Sequence, residues 1–173
     1  MNYKDNKYLE NPGNPDHLNG VAIIGMAGRF PKARNIEEFW NNLENKVECI
    51  TFYEEQQLLD AGIAPEVLKN PDYVKAKGAV DDVDMFDASF FGINPREAEV
   101  TDPQHRMLME CAWEAMEHAG YDSGKFNGPI GMFAGKSMDY YLLLNVFPRI
   151  KKELSAGSLQ AAIGNDKDSL TTT

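Results

Sequence analysis

Two short apolar runs, each closed by a glycine, lie on either side of the longest helical pattern in the chain. The first covers residues 21–25 and the second residues 130–135. A continuous apolar run of this length is typical of a strand that is buried on both faces of a sheet. The two runs and the helical patterns between them therefore predict an α/β fold, with helices packed on a layered sheet.

Two helix starts stand out between these runs. Asn94 and Asp102 are each followed by a proline, and a cap residue followed by a proline favours the start of a helix. The pattern predicts a short helix over residues 95–100. It predicts a longer helix over residues 103–119 that stops at Gly120.

The first half of the chain contains one clear helix. Asn35 is expected to cap it, with Glu38 completing a capping box, and it is predicted over residues 36–46. Trp40 lies on its apolar face and is expected in the core.

The weaker patterns predict shorter elements and loops. Helices are expected over residues 54–61 and 65–68, and a helix interrupted by Pro148 over 140–150. Residues 69–77 are predicted to be an exposed excursion. The acidic stretch over residues 80–87 is interpreted as a solvated loop that buries Val83, Phe86 and Phe90.

Composition excludes several classes of protein. The 173 residues carry 17 basic and 27 acidic side chains, a net charge of −10, which argues against nucleic acid as a main partner. No apolar run approaches the roughly 20 residues that span a bilayer, and the first residues lack the apolar segment of a signal peptide. Two cysteines are too few for a disulfide framework, so a reducing, cytoplasmic location is expected.

Searches for catalytic and ligand-binding motifs find an incomplete set. Gly25 and Gly28 lack the third glycine of a dinucleotide fingerprint, so a tight turn is favoured over a nucleotide site. No zinc spacing and no serine-nucleophile motif occur, and His105 is predicted to be neutral or bonded locally. Lys136, Ser137 and Met138 follow the second predicted strand, at the end where ligands gather in open α/β sheets.

Five motifs, in order along the chain, resemble the ketosynthase domain of modular polyketide synthases. They are Val21-Ala-Ile-Ile-Gly-Met-Ala-Gly-Arg-Phe-Pro31, Phe86-Asp-Ala-Ser-Phe-Phe-Gly-Ile-Asn-Pro-Arg-Glu-Ala98, Thr101-Asp-Pro-Gln-His-Arg106, Trp113-Glu-Ala-Met-Glu-His-Ala-Gly120 and Gly131-Met-Phe-Ala-Gly135. The resemblance implies a thiolase-like fold, with residues 20–173 as the N-terminal portion of the domain. Residues 1–19 are polar, contain clustered Asn, Pro, Gly and Asp and show no periodicity, so they are predicted to be a linker or N-terminal arm.

The resemblance also implies a β-ketoacyl synthase activity. A cysteine accepts an acyl chain from the phosphopantetheine of an acyl carrier protein and condenses it with a malonyl-type extender. The complete domain is expected to be a homodimer, and this chain is expected to bind no cofactor. Lys136, Ser137 and Met138 fall where the family's loop approaches the acyl tunnel and are predicted to line it.

The family's cysteine and its two histidines have no counterpart in this chain, since neither Cys49 nor Cys111 stands in the family's nucleophile motif. We therefore expect no catalytic residue here, and a chain that ends before the nucleophile and is inactive alone. An alternative stays open, in which the chain is a natural split half or a scaffold or docking element of a synthase. A nucleotide-binding domain is the third hypothesis.

Overall fold

The computed structural model describes residues 20–137 and 140–150, and most of the regular secondary structure in these residues is helical. The elements follow in the order α1 (Ile36–Glu44), β1 (Thr51–Phe52), α2 (Glu55–Asp60), α3 (Pro65–Leu68), β2 (Ala76–Lys77), α4 (Pro95–Val100), α5 (Pro103–His118), a π-helical turn (Leu142–Val146) and α6 (Phe147–Ile150). The longest of these, α5, contacts chain segments that lie both before and after it in the sequence.

The helices α4 and α5 begin where the sequence predicts. Asn94 Oδ1 accepts a hydrogen bond from the N–H of Glu97 at 2.9 Å, and Asp102 Oδ1 accepts one from the N–H of Gln104 at 2.8 Å. A proline occupies the first turn of each helix, where no N–H is needed. Beyond α5, Gly120 has a φ of 77°, a left-handed conformation that glycine adopts without strain. These helix predictions are confirmed.

Helix α1 also starts as predicted, but it ends at Glu44, earlier than expected. Asn35 Oδ1 accepts from the N–H of Glu38 at 2.8 Å. The capping box is only half formed, because the Glu38 carboxylate accepts from the N–H of Arg34 rather than from that of Asn35. Lys46 has a φ of 56°, which is incompatible with continuing the helix.

The short helices α2 and α3 confirm the predictions for this part of the chain. The predicted helix over 140–150 is present, but its centre is a π-helical turn rather than a break at Pro148. Pro148 is the second residue of α6, which follows the π-helical turn directly.

The prediction of an exposed excursion over residues 69–77 is wrong at its end. Residues 76–77 form β2, which pairs antiparallel with β1 in the register Thr51↔Lys77 and Phe52↔Ala76. The N–H of Tyr53 extends the pairing to the carbonyl of Lys75 at 2.9 Å. The Lys75 ammonium binds the Glu55 carboxylate at 2.7 Å and fixes this small sheet to α2. A two-residue strand is too short to leave a periodic signal in the sequence.

The two predicted buried strands, 21–25 and 130–135, are not strands among the described residues. Residues 22–25 and 129–132 line one apolar groove beside α5, but no backbone hydrogen bond joins them. A strand exists only through pairing with a neighbour, and the described residues offer these segments none. Their side chains remain in solvent: Val21 is 95% exposed and Phe133 is 99% exposed.

Several side chains that were expected in the core are exposed. Trp40 is 53% exposed, and Val83 and Phe90 are also exposed, so these three predictions are wrong. Phe90 instead packs edge-on against Trp113, with ring centroids 4.8 Å apart, while Phe86 stacks on Phe91. Apolar periodicity predicts which face is apolar, but the described residues do not supply a layer that covers these faces.

An arginine attaches the segment before α1 to the middle of α5. The Arg29 guanidinium donates two hydrogen bonds to the Glu114 carboxylate and lies 3.8 Å from Glu110 Oε2. The hydrogen bond to Arg29 lowers the pKa of Glu114, and the same bond raises the pKa of Arg29. Burial raises the pKa of Glu110, against the opposing effect of Arg29. Arg29 therefore favours the charged form of Glu114 more strongly than that of Glu110.

The segment before α1 also contacts the C-terminal end of α5. The N–H of Met26 donates a hydrogen bond to Nδ1 of His118 at 3.0 Å. A Cβ added at Gly25 would overlap the carbonyl oxygen of Ala115 and lie 2.9 Å from Ala119 Cβ. Gly25 is thus used for close packing and not for binding a phosphate.

We predict that Gly25→Ala lowers the free energy of unfolding by about 1–3 kcal/mol, because the new methyl group has no room against α5. Gly20→Ala is the matched control, since no heavy atom lies within 4 Å of a Cβ there. Urea denaturation of the two variants measures the difference. Equal stability of the two variants would contradict the close packing.

We predict that Glu114→Gln lowers the stability at neutral pH by about 1 kcal/mol, a value kept small by solvent screening of a partly exposed group. The lowered pKa means that Glu114 stabilises the fold above the ordinary glutamate pKa and loses this effect as the pH falls through its folded value. The variant should therefore lose less stability than the wild type on acidification.

Glu110→Gln is the control with the opposite sign. Its raised pKa means that the protonated form is favoured in the fold, so removing the charge should not destabilise the chain at neutral pH. Urea melts between neutral pH and about pH 3 compare the three proteins. If the free energy of unfolding depends on pH in the same way for Glu114→Gln and the wild type, Arg29 does not stabilise the charged form of Glu114.

We predict that the exposed apolar segments make the isolated chain associate. Val21→Lys combined with Phe133→Lys should reduce association and dye binding, because both side chains are almost fully in solvent. Gln56→Lys, on the exposed face of α2, adds a positive charge without removing an apolar side chain and serves as the control. Light scattering against concentration measures the effect. A monomeric wild-type chain that melts cooperatively would contradict this prediction.

Candidate functional site

The densest group of buried polar side chains surrounds the first turn of α5. Thr101, Asp102 and His105 are each at least 98% buried, and Arg106 is 9% exposed. The side chain of Lys136 enters the same group from the segment that follows residues 129–132. Buried polar groups are costly unless they are paired, so this cluster fixes the local structure strongly.

Asp102 has two roles in this cluster. It caps α5, and its carboxylate also accepts a hydrogen bond from Lys136 Nζ at 3.4 Å, with both side chains only 2% exposed. Removing one partner from a buried ion pair leaves an uncompensated charge, which typically costs about 3–5 kcal/mol. Asp102 therefore couples the start of α5 to the Lys136 segment.

His105 lies against the same ammonium group. Its Nε2 is 3.5 Å from Lys136 Nζ, and since an ammonium group only donates, Nε2 is the acceptor in this contact. The contact agrees with the sequence interpretation of a locally bonded histidine at the positive end of a helix.

A second connection lies one residue further on. Both the N–H and the hydroxyl of Ser137 donate to Gln104 Oε1, at 3.2 Å and 3.0 Å. The hydroxyl of Tyr141 donates to the carbonyl oxygen of Glu99 at 2.7 Å. The chain on both sides of residues 138–139 is thus attached to α4 and to the start of α5.

The three residues predicted to line the acyl tunnel differ in their surroundings. Lys136 turns its ammonium group into the buried cluster, and Ser137 is exposed apart from its bonds to Gln104. Met138 lies outside the described residues. A tunnel-lining role for the three remains a prediction.

Neither cysteine has the environment of a nucleophile among the described residues. Cys49 and Cys111 are both free and half-buried, and burial raises the pKa of Cys111, which opposes the thiolate that a nucleophile needs. Within residues 20–137 and 140–150, no three His, Cys, Asp or Glu side chains are grouped to hold a metal ion. Nor does any helix in those ranges have the length and apolar character to cross a membrane.

A large apolar groove lies beside α5, with a volume of about 580 Å³. Its walls are residues 22–25, one side of α5 over residues 112–119, and residues 129–132. Small side chains on α5, among them Ala112, Ala115 and Ala119, allow other segments to approach closely. The groove is a packing surface in character, because few polar groups converge on it.

Sequence reasoning missed the contacts of Arg29 and Lys136. Glu110 and Glu114 are spaced to share one face of α5, a pair of carboxylates that would attract a cation. Nothing in the sequence says which of the basic residues fills that position, because Arg29 is 85 positions away from Glu114.

The comparisons with known proteins agree with the motifs. Residues 18–168 match the family model of the β-ketoacyl synthase N-terminal domain. Over 160 residues the chain is 41% identical to a phenolphthiocerol/phthiocerol polyketide synthase of Mycobacterium tuberculosis, covering 89% of the chain and 11% of that protein. It is 39% identical to the polyketide synthase PksL of Bacillus subtilis, covering 83% of the chain and 4% of that protein.

Two solved structures show the same fold over part of their length. The ketosynthase from module 6 of the bacillaene synthase of Bacillus subtilis has a TM-score of 0.59 and 35% identity, over 71% of this chain and 21% of that one. An oxazolomycin ketosynthase domain of Streptomyces albus has a TM-score of 0.65 and 28% identity, over 84% and 27%. The chain thus spans a small part of the proteins it matches.

The predicted α/β, thiolase-like fold class is confirmed by these neighbours, although the two strands that led to it are unpaired among the described residues. The match over residues 18–168, the similarity to polyketide synthases and the shared fold lead to one conclusion: the chain belongs to the β-ketoacyl synthase family and matches the N-terminal part of a polyketide synthase ketosynthase domain.

Proposed function

We propose that this chain is the N-terminal part of a ketosynthase that extends an acyl chain by decarboxylative Claisen condensation. The observation that carries the proposal is the family match over residues 18–168. In the proposed reaction, a cysteine outside this chain displaces phosphopantetheine from an acyl thioester on an acyl carrier protein. Loss of CO₂ from a malonyl-type extender gives an enolate, which attacks the acyl carbon and releases the cysteine thiolate.

The chemistry of the described residues supports a structural share in this reaction. Cys111 is half-buried and its pKa is raised, whereas an activated cysteine nucleophile has a lowered pKa. His105 is committed to the Lys136 cluster, and His118 accepts a hydrogen bond from the backbone of Met26. In this proposal the chain supplies framework and tunnel wall, including Lys136, Ser137 and Met138, and the reacting groups come from elsewhere in the domain.

The exposed apolar surfaces support the proposed partners. Val21, Ile23 and Phe133 project from segments that the family resemblance assigns to a central sheet, and burying them would stabilise the fold. The remainder of the ketosynthase domain is the partner that we propose for these faces. An acyl carrier protein is proposed as the donor of the acyl chain, and a homodimer as the state of the complete domain.

We predict that the 173-residue chain alone forms no acyl-enzyme. After incubation with hexanoyl-N-acetylcysteamine, its intact mass should be unchanged, because its half-buried Cys111 is poorly ionised and Cys49 has no activating base among its described contacts. The Cys49→Ser/Cys111→Ser double variant is the matched control. An adduct that is lost in this control would contradict the proposal.

The same assay separates the proposal from a split or scaffold protein. A single polypeptide that contains this chain and a ketosynthase cysteine should gain one hexanoyl group, without the need for a separate second polypeptide. If activity appears only when two polypeptides are co-expressed, the chain is a natural half. If it appears in neither case, the scaffold interpretation is favoured.

A further inference from the structure

We propose that the buried Lys136–Asp102–His105 cluster is a positioning device, which holds the segment at Ser137 in place and thereby sets the acyl chains that the ketosynthase accepts. The inference rests on the proposed function, in which the segment around Ser137 forms part of the wall of the acyl tunnel. Lys136 is a positioning residue here, since its ammonium group contacts Asp102 and His105 rather than a substrate.

The charges of the Lys136–Asp102 pair are buried. The Lys136 and Asp102 side chains are each 2% exposed, and their charged atoms are 3.4 Å apart. A buried ammonium group that leaves its carboxylate loses its compensation, so the pair restricts the backbone at residue 136 to one position. An exposed pair would not restrict it, because water compensates each charge separately.

Asp102, the partner of Lys136, is held rigidly at the start of α5. Asp102 caps α5 through the N–H of Gln104, and Pro103 fixes the backbone between these two residues. The carboxylate that holds Lys136 is therefore itself fixed by a helix of 16 residues. The position of Lys136 thus follows the start of α5.

Ser137, the residue after Lys136, is also attached to the first turn of α5. Gln104 Oε1 accepts from both the N–H and the hydroxyl of Ser137. The first turn of α5 thus holds a side chain at residue 136 and the backbone at residue 137. Tyr141, bonded to the carbonyl of Glu99, attaches the chain on the far side of residues 138–139.

An acyl tunnel is an apolar slot, and its selectivity depends on the position of its wall. One methylene group of misfit changes the rate of a matched substrate by about 10–200-fold. A wall segment that is held by charges and hydrogen bonds, rather than by apolar packing, keeps its place whether or not a chain is bound. We therefore expect the cluster to act on the choice of acyl chain more than on the chemistry of transfer.

The test uses the synthase that contains this chain and compares acetyl-, butyryl- and hexanoyl-N-acetylcysteamine as acyl donors. The Lys136→Met/Asp102→Asn double variant removes both charges and keeps the side-chain volumes, and asparagine still caps α5. Because neither partner of the pair keeps its charge, the thermal stability should remain close to that of the wild type. Intact mass against time gives kcat/KM for each acyl group.

We expect the ratio of hexanoyl to acetyl kcat/KM to change by about tenfold in the double variant. Lys125→Met/Asp122→Asn is the matched control, because it removes an exposed pair of the same two residue types at 2.8 Å. Its ratio should equal that of the wild type. An unchanged ratio in the folded double variant would overturn the inference, and so would an equal change in the control.

Two further outcomes are distinguished. If the double variant does not fold, Gln104→Ala releases Ser137 while both buried charges stay in place, although it also removes the hydrogen bond that Gln104 Nε2 donates to Asp102 Oδ2 at 3.2 Å. An unchanged ratio in this variant overturns the inference as well. If the wild-type synthase takes up no acyl group from any of the three thioesters, the proposed function itself fails, and the inference fails with it.

Discussion

The carboxylate of Asp102 is the group on which the described structure depends most. It caps α5 and compensates the buried ammonium group of Lys136, so one side chain fixes both the start of the longest helix and the segment that follows the groove. Further along α5, Glu114 binds Arg29, and Gly25 packs closely against the backbone of Ala115. A fixed first turn sets the positions of these later contacts, because a helix of this length is a stiff element.

The sequence predicts what is decided within a few residues. The caps at Asn94 and Asp102, the first-turn prolines and the glycine after α5 act locally, and the structure confirms the helices that they predict. The interpretation of residues 21–25 and 130–135 as paired strands was wrong for the described chain, because pairing depends on neighbours that no local pattern reveals. The burial of Trp40 and Phe90 was wrong for the same reason, since burial needs a second layer.

The site was predictable only in part. Position after an apolar run singled out Lys136 and Ser137, and helix electrostatics indicated that His105 is neutral or locally bonded. The pairing of Lys136 with Asp102 spans 34 positions, and that of Arg29 with Glu114 spans 85. Contacts at such separations depend on how elements pack, so spacing arguments cannot reach them. The family motifs indicated the thiolase-like fold, which periodicity alone did not, because the motifs carry information on the complete domain.

The spacing of these contacts also sets an order of assembly during synthesis on the ribosome. The caps of α4 and α5 come from groups that lie within three residues of their partners, so both helices have their start signals as soon as this stretch leaves the exit tunnel. Arg29 emerges long before Glu114 and has to wait for it. The segment around Arg29 therefore stays unattached to α5 until Glu114 has been synthesised, which gives a nascent-chain chaperone time to bind it.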